Sequence, residues 1–356
     1  MIAKRVEGIR NALPEGAAAL ITNEADCFYF SGFLRSEGMT LITKNSATLY
    51  VDFRYIEAAK AACKEVSVKL TSAFFKDIAA DLKSENINTV FIQSEHVTLS
   101  VSKKMQEAFG GVRVSDDFDL DKMIGDMRAV KCKGEISLIK AAQEITDSGF
   151  TYIKDRIAAG RTEREVALDL EFFMRKNGSE GIAFDTICVS GKNSSKPHGV
   201  PGEKIIEKGD FVTLDFGAMK GGYRSDMTRT VCIGNPTEKM KTVYDTVLKA
   251  QSEALKSIKP GTVCKEIDKV ARDIIDNAGF KGAFGHGLGH SVGIDIHENP
   301  SFNTRCETVT KPGMVITVEP GIYLENEFGV RIEDMIIVTE NGSENITKSE
   351  KQLLIL

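Results

Sequence analysis

The segment from Phe211 to Gly234, FVTLDFGAMKGGYRSDMTRTVCIG, constrains the fold most because it predicts a β-hairpin that carries two aspartates. A turn centred on Lys220 and Gly221 places Asp215 directly opposite Asp226, with Cβ atoms about 5 Å apart. The apolar residues around them predict that this face is buried. Two buried carboxylates this close repel each other unless a cation lies between them. The hairpin therefore predicts a metal site, and a pair of solvent-facing aspartates is the alternative.

Two further carboxylates lie in apolar segments that predict buried strands. Glu319 lies in VITVEPGIY and Glu333 lies in GVRIEDMIIV. A buried carboxylate is costly unless it is paired or metal-bound. A plain ion pair with Arg331 would account for Glu319 but not for Glu333 or the two aspartates. Asp334 is the weaker candidate, since strand alternation puts it on the face opposite Glu333.

Four of the five histidines lie in the second half of the chain. His198 is in KPHGVPG, and His286, His290 and His297 are in GAFGHGLGHSVGIDIHENP. A lone histidine is more often structural than a ligand, but three of them among glycines favour a site. Four carboxylates and one imidazole suit two divalent ions such as Mn, Co, Fe or Zn. Two bridged ions can hold a hydroxide as nucleophile while nearby histidines move protons.

Length and composition limit the class of protein. A chain of 356 residues predicts two domains, and 42% hydrophobic residues predict a full core. The net charge of -5, without a long basic run, argues against nucleic acid as a partner. The sequence contains neither a signal-peptide core nor an apolar run of about 20 residues, which argues against a membrane partner. Seven scattered cysteines predict free thiols in a reducing cytoplasm.

The order of predicted elements gives the domain boundaries. Strands and helices alternate through residues 1–127, which predicts a small α/β domain. Within it, CFYFSG at residues 27–32 predicts a strand. Residues 128–356 are predicted as a second domain with four long helices, one of which opens at a capping box of Thr162 and Glu165.

At these residues the sequence resembles the metal-dependent "pita-bread" peptidases of family M24, which include methionine aminopeptidase, aminopeptidase P and prolidase. The motifs are TLDFGAMKGGYRSDMTRT, GHGLGHSVGIDIHE, TVEPGIY and GVRIED, in the family's order. YFSGFLRSEGMTLIT followed by LYVDFRY also resembles the N-terminal domain of the Xaa-Pro peptidase and creatinase branch. The resemblance implies an α/β N-terminal domain of the creatinase/prolidase type and an α+β pita-bread catalytic domain.

The resemblance also implies a role for individual residues. Two divalent ions, with Mn favoured and Co, Zn or Fe as alternatives, would have five ligands: Asp215, Asp226, His290, Glu319 and Glu333. Asp226 and Glu333 would bridge the two ions, and Glu319 would also shuttle a proton. Substrate binding and stabilisation of the intermediate would fall to His198 and His297. His286 and Arg331 would support the ligands.

The implied activity is hydrolysis of the peptide bond before proline, by an Xaa-Pro aminopeptidase or an Xaa-Pro dipeptidase that uses a metal-bridging hydroxide. The implied partners are Xaa-Pro peptides and a second copy of the chain, with the loop around Phe33, Arg35 and Ser36 covering the partner's active site; an ordinary surface turn is the alternative. A creatinase-like hydrolase and a catalytically inactive protein-binding module remain the rival functions. Both rivals would lack part of the ligand set, and methionine aminopeptidase lacks this N-terminal domain.

Overall fold

In this computed structural model the described residues, 1–34 and 37–356, form two compact units, Met1–Met127 and Arg128–Leu356. The helices that begin in the first unit are α1 Ile2–Ala12, α2 Glu24–Ser31, α3 Ile56–Ala62, α4 Phe74–Ser84, α5 Leu99–Ala108 and α6 Leu120–Ala129. Its strands are β1 Ala17–Ile21, β2 Met39–Ile42, β3 Ala47–Val51, β4 Ser67–Leu70, β5 Thr89–Ile92 and β6 Arg113–Ser115.

The first unit is a six-stranded mixed sheet with strand order β4-β3-β2-β1-β5-β6. Strand β2 is antiparallel to both neighbours, whereas the outer pairs are parallel. Helices α4 and α5 bury Ile78, Leu82 and Met105 against the sheet residues Leu20 and Val90. Of the loop predicted to reach a partner chain, Phe33 is described, but Arg35 and Ser36 lie outside the described residues.

The strand predicted at residues 27–32 is wrong, because this segment is the C-terminal part of α2. The Asn23 side chain caps the helix by accepting a hydrogen bond from the Asp26 N–H, and Gly32 ends it in the left-handed conformation with φ of 78°. These two caps provide partners for end groups that a helix otherwise leaves unsatisfied. Local capping therefore outweighs the strand propensity of the aromatic residues between them.

The second unit carries the predicted hairpin, and its sheet pairs are all antiparallel. Its helices are α7 Lys133–Lys154, α8 Glu163–Lys176, α9 Glu238–Ser257 and α10 Cys264–Ile275. Its strands are β7 Ile187–Ser190, β8 Phe211–Phe216, β9 Met219–Lys220, β10 Tyr223–Arg224, β11 Met227–Cys232, β12 Gly289–Ser291, β13 Glu298–Phe302, β14 Val315–Val318, β15 Gly321–Leu324, β16 Phe328–Arg331, β17 Asp334–Val338 and β18 Ser343–Asn345.

Two helix pairs cover two sheets in this unit. Helices α7 and α8 pack together, and Phe150 and Leu170 join a core with Leu214 of the sheet β11-β8-β7. Helices α9 and α10 pack together. Val247 of α9 joins a core with Ile336, which lies in the sheet β13-β12-β14-β17-β18. Among the described residues, no helix is both long and apolar enough to cross a bilayer.

The hairpin has a different register from the predicted one. Lys220 pairs with Tyr223, so the turn is centred on Gly221 and Gly222, and Asp215 lies opposite Thr228. Both glycines have positive φ, 56° and 78°, as the common two-residue hairpin turn with both central residues left-handed requires. Asp226 is therefore a diagonal neighbour of Asp215, two residues from the predicted register, and the two still share a face.

Gly217 is the point of closest backbone contact inside this hairpin. A Cβ atom there would lie 1.9 Å from the carbonyl oxygen of Ser225. We expect Gly217→Ala to lower the free energy of unfolding by about 1–3 kcal/mol, the usual cost of overpacking. Urea unfolding measures the change. Gly342→Ala is the control, since a Cβ there meets no atom within 4 Å in the described structure. Equal stabilities for the two variants would contradict the prediction.

Candidate metal centre

The four predicted carboxylates reach the site from the ends of different strands. Asp215 lies near the end of β8 and Asp226 immediately precedes β11. Glu319 immediately follows β14, and Glu333 lies between β16 and β17. All four line one cavity of about 890 Å³. The remaining predicted site residues line the same cavity: His198, His286, His290, His297 and Arg331. The structure thus brings together the whole predicted set.

Several oxygens in this cluster are buried without a partner. Asp215 Oδ1, Asp226 Oδ1 and Glu333 Oε1 have no hydrogen-bond partner in the described part of the chain. The second oxygen of Glu333 accepts a hydrogen bond from the Thr228 hydroxyl at 2.7 Å. Buried polar atoms in folded proteins are nearly always satisfied. The three unpartnered oxygens therefore indicate that the cluster is built around a cation.

The electrostatics of the carboxylates point the same way. Burial, together with the charges of neighbouring carboxylates, raises the pKa of Asp226 and of Glu333 well above the ordinary values. Burial also raises the pKa of Glu319 to about 8. Without cations, the protein resists the ionised form of these groups. A divalent cation reverses this effect, because it favours the negative carboxylate.

Asp334 shows how the same fold treats a structural carboxylate. It is as buried as its neighbour Glu333 but lies outside the cavity lining. Its oxygens form an ion pair with Arg229 at 2.8 Å and receive hydrogen bonds from Gln251, Asn345 and Lys351. Burial opposes ionisation, but Arg229 and Lys351 outweigh it and lower the pKa of Asp334. The contrast separates a fully paired carboxylate from the under-paired cluster.

His290 presents a metal-binding nitrogen to the cluster. Its Nδ1 lies 3.2 Å from the carbonyl oxygen of Ser291, which assigns the proton to Nδ1. Its Nε2 faces Glu319 Oε1 at 3.3 Å and Asp226 Oδ2 at 3.5 Å. Burial lowers the pKa of His290 to about 4, so the ring is neutral at pH 7. A lone pair facing two carboxylate oxygens is unfavourable unless a cation or a proton lies between them.

The arrangement of the donors fits a divalent ion. One ligand atom from each of Asp226, His290 and Glu333 lies within 4.8 Å of the others, and Glu319 adjoins His290. Oxygen-rich donors with one imidazole suit Mn and other first-row ions. The structure therefore supplies three central donors, with Glu319 and Asp215 beside them.

Arg331 is bound to Asp215, and the alternative in which it simply pairs with Glu319 is not the arrangement found. Its Nη2 donates to Asp215 Oδ2 at 2.6 Å, and its Nη1 donates to the Tyr323 hydroxyl at 2.8 Å. That hydroxyl lies 3.0 Å from His286 Nε2. Since His286 Nδ1 adjoins the Gly287 carbonyl oxygen, Nε2 accepts from Tyr323. This series of hydrogen bonds holds one oxygen of Asp215 in place.

His297 and His198 line the same cavity as the carboxylate cluster. The ring of His297 makes an edge-to-face contact with that of His290, with centroids 4.5 Å apart. Burial lowers the pKa of His297, which favours the neutral ring. Both residues line the cavity without occupying a position among the three central donors.

Sequence reasoning missed two residues that the site uses, Thr228 and Tyr323. Thr228 donates to Glu333 and accepts from the Arg331 Nε at 3.0 Å. Tyr323 lies in the TVEPGIY motif, but nothing in the sequence links it to His286, which is 37 positions away. The available signal for Thr228 was its position two residues after Asp226, which strand alternation puts on the same face.

Comparison with known proteins places the chain in a family. The model of metallopeptidase family M24 matches residues 137–340, and that of the creatinase/prolidase N-terminal domain matches residues 5–130. The chain belongs to metallopeptidase family M24. As a member of that family it is a metal-dependent hydrolase, and the expected combination of an N-terminal creatinase/prolidase domain and a pita-bread domain is confirmed.

The chain is similar along nearly its whole length to several peptidases. A protein of Pyrococcus furiosus named Xaa-Pro dipeptidase is 43% identical over 94% of each chain. The structure of an Xaa-Pro dipeptidase from Bacillus anthracis is 40% identical, with a TM-score of 0.95 over all of both chains. That of an X-Pro aminopeptidase from Thermotoga maritima is 38% identical, with a TM-score of 0.91 over 99% of this chain and 100% of the other.

Proposed function

We propose that this chain hydrolyses the peptide bond before proline, using two divalent ions bound by Asp215, Asp226, His290, Glu319 and Glu333. The observation that carries the proposal is the cluster of four carboxylates in which three buried oxygens lack partners among the described residues. The names of the relatives supply the substrate class, since they include both Xaa-Pro dipeptidases and an X-Pro aminopeptidase. A creatinase-like reaction and an inactive binding module are disfavoured, because both predict an incomplete ligand set.

The positions of the carboxylates suggest which of them would bridge the two ions. Asp226 and Glu333 are the two central carboxylates, and each keeps one unpartnered oxygen beside one that has a neighbour. This arrangement suits a carboxylate that bridges two ions. When bound, such ions would supply Lewis acidity, which polarises the scissile carbonyl and lowers the pKa of an attacking water.

Glu319 is the group that we assign to proton transfer. Its Oε1 accepts a hydrogen bond from the Thr317 hydroxyl at 3.2 Å, so we assign the transferred proton to Oε2. The leaving group of an Xaa-Pro bond is the secondary amine of proline, which must gain a proton as the bond breaks. We therefore assign to Glu319, whose Oε1 lies 3.3 Å from His290 Nε2, the transfer of a proton from the attacking water to this amine.

The histidines complete the proposed mechanism. His297, which burial keeps neutral by lowering its pKa, and His198 each offer one ring N–H to the oxygen of the scissile carbonyl, where negative charge develops in the transition state. The hydrogen bonds that run from His286 through Tyr323 to Arg331 orient Asp215. Fixed donors of this kind lower the barrier because they need not reorganise during the reaction.

Peptide hydrolysis tests the proposed function. The metal-free protein, prepared with a chelator, is given Mn, Co or Zn and assayed on an Xaa-Pro dipeptide, an Xaa-Pro-Yaa tripeptide and an Xaa-Ala dipeptide as control. We expect metal-dependent cleavage before proline and little cleavage of the control. Cleavage of the dipeptide alone would identify a dipeptidase, and cleavage of the tripeptide would identify an aminopeptidase. No cleavage with any metal would contradict the proposal.

A further inference from the structure

A buried lysine, Lys131, contacts the two strands that carry His290 and Glu298, β12 and β13. The side chain of Lys131 is 1% exposed. Its ammonium donates to the Ser291 hydroxyl at 2.8 Å and forms an ion pair with Glu298 at 3.1 Å. A buried ion pair stabilises a fold little and often less than an apolar pair would. Its presence therefore calls for an explanation other than stability.

Lys131 links the two ends of the segment that connects His290 and His297. Ser291 follows His290 in the chain, and Glu298 follows His297. Ser291 and Glu298 are also direct cross-strand partners of β12 and β13, at a β-bulge beside His290. Lys131 thus contacts both Ser291 and Glu298, where the loop between the two histidines begins and ends. It holds each strand one residue away from the imidazole that the strand positions.

Glu298 extends the same arrangement into the loop between the histidines. Its Oε1 accepts hydrogen bonds from the backbone N–H groups of Ile294 at 2.9 Å and Asp295 at 3.2 Å, and its carboxylate also pairs with Arg128. A Cβ atom at Gly293 would lie 2.6 Å from this carboxylate, so glycine leaves the space that it needs. Burial opposes the ionisation of Glu298, but Lys131 and Arg128 outweigh it and keep its pKa below the ordinary value.

We propose that Lys131 and Glu298 are a positioning pair that sets the orientation of His290 and His297 for metal binding and catalysis. Neither residue lines the cavity, so both act through the histidines. The inference rests on the proposed function, because it assigns those histidines to the site. Groups that orient metal ligands typically contribute about 10–100-fold in metal affinity or activity.

The test uses Lys131→Met, Glu298→Gln and the double variant in the full-length protein. Calorimetric titration of the metal-free proteins with Mn²⁺ measures affinity, and kcat and KM are measured on an Xaa-Pro dipeptide. We expect Lys131→Met to lower Mn²⁺ affinity and kcat by about 10–100-fold each, with a smaller change in KM. Adding Glu298→Gln to it should cause little further loss, because both residues serve the same contact.

Controls separate positioning from simple destabilisation. Val247→Ala removes buried volume on α9 and should lower the melting temperature without changing Mn²⁺ affinity or kcat. The absorption spectrum of the Co²⁺-loaded protein should change in Lys131→Met but not in Val247→Ala, since it reports the geometry at the ion. If Lys131→Met does not fold, Glu298→Gln and Ser291→Ala supply the same measurements.

The proposal would be overturned if Lys131→Met or Glu298→Gln folds and keeps the wild-type Mn²⁺ affinity, Co²⁺ spectrum and kcat, with only a lower melting temperature. The Mn²⁺ and Co²⁺ measurements do not depend on the substrate. If the wild-type protein binds Mn²⁺ but cleaves no Xaa-Pro peptide, the proposed function fails while the positioning pair is still tested by metal affinity.

Discussion

Replacing Glu333 with alanine is expected to remove hydrolysis and to lower the amount of bound metal. Glu333 is 1% exposed, and one of its oxygens has no partner in the described structure. If it bridges two ions, its loss removes a ligand from each of them. Since groups that only support ligands contribute up to about 100-fold, we expect at least that loss in kcat. Steady-state kinetics and the metal content after dialysis measure the two effects.

The control for this variant is Glu340→Ala, which removes an exposed carboxylate from the same region of the chain. It should keep wild-type kcat and metal content. Wild-type activity with a full metal complement in Glu333→Ala would show that Glu333 is not a ligand, and the two-ion arrangement would then be wrong.

Replacing His297 with alanine is expected to leave metal binding intact and to reduce kcat by about 10²–10³-fold. His297 contacts the ring of His290 but is not among the three central donors. If it donates to the oxygen of the scissile carbonyl, the loss should match that of other donors to such an oxygen. Because the interaction strengthens in the transition state, kcat should fall more than KM rises.

His96→Ala is the matched control, because His96 is the one histidine outside the second unit and its side chain is 39% exposed. Metal content and kinetics should be unchanged in it. Loss of metal from His297→Ala would make His297 a ligand, and retained turnover would remove it from the mechanism. Either result would contradict the role proposed here.

The site residues could be predicted because they break the pattern of their surroundings. Glu319 and Glu333 are charges in largely apolar segments, and His290 lies in a glycine-rich stretch with two other histidines. Burial of such groups is costly unless they are paired, so several of them without an evident partner indicate a site. The structure places each of them in one cavity.

The register of the hairpin could not be read as reliably, because it depends on which two residues form the turn. Lys220-Gly221 and Gly221-Gly222 are both plausible from composition. Only the second gives positive φ at two glycines, and choosing it moves the partner of Asp215 from Asp226 to Thr228. A strand register is therefore decided by the turn conformation as well as by the apolar pattern.

The supporting contacts could not be predicted because they join distant parts of the chain. Lys131 lies 160 positions from Ser291, and Arg331 lies 116 positions from Asp215. Neither pair forms a local pattern, since the contacts arise only when distant segments of the second unit come together. Long-range packing of this kind requires a structure.

The most direct test of the two-ion centre is to count and locate the metal in the active protein. Elemental analysis of Mn²⁺-loaded protein gives the number of ions, and anomalous diffraction from its crystals gives their positions. We predict two ions per chain in contact with Asp215, Asp226, His290, Glu319 and Glu333. A fully active protein with no ion, or with ions bound away from these five residues, would contradict the account.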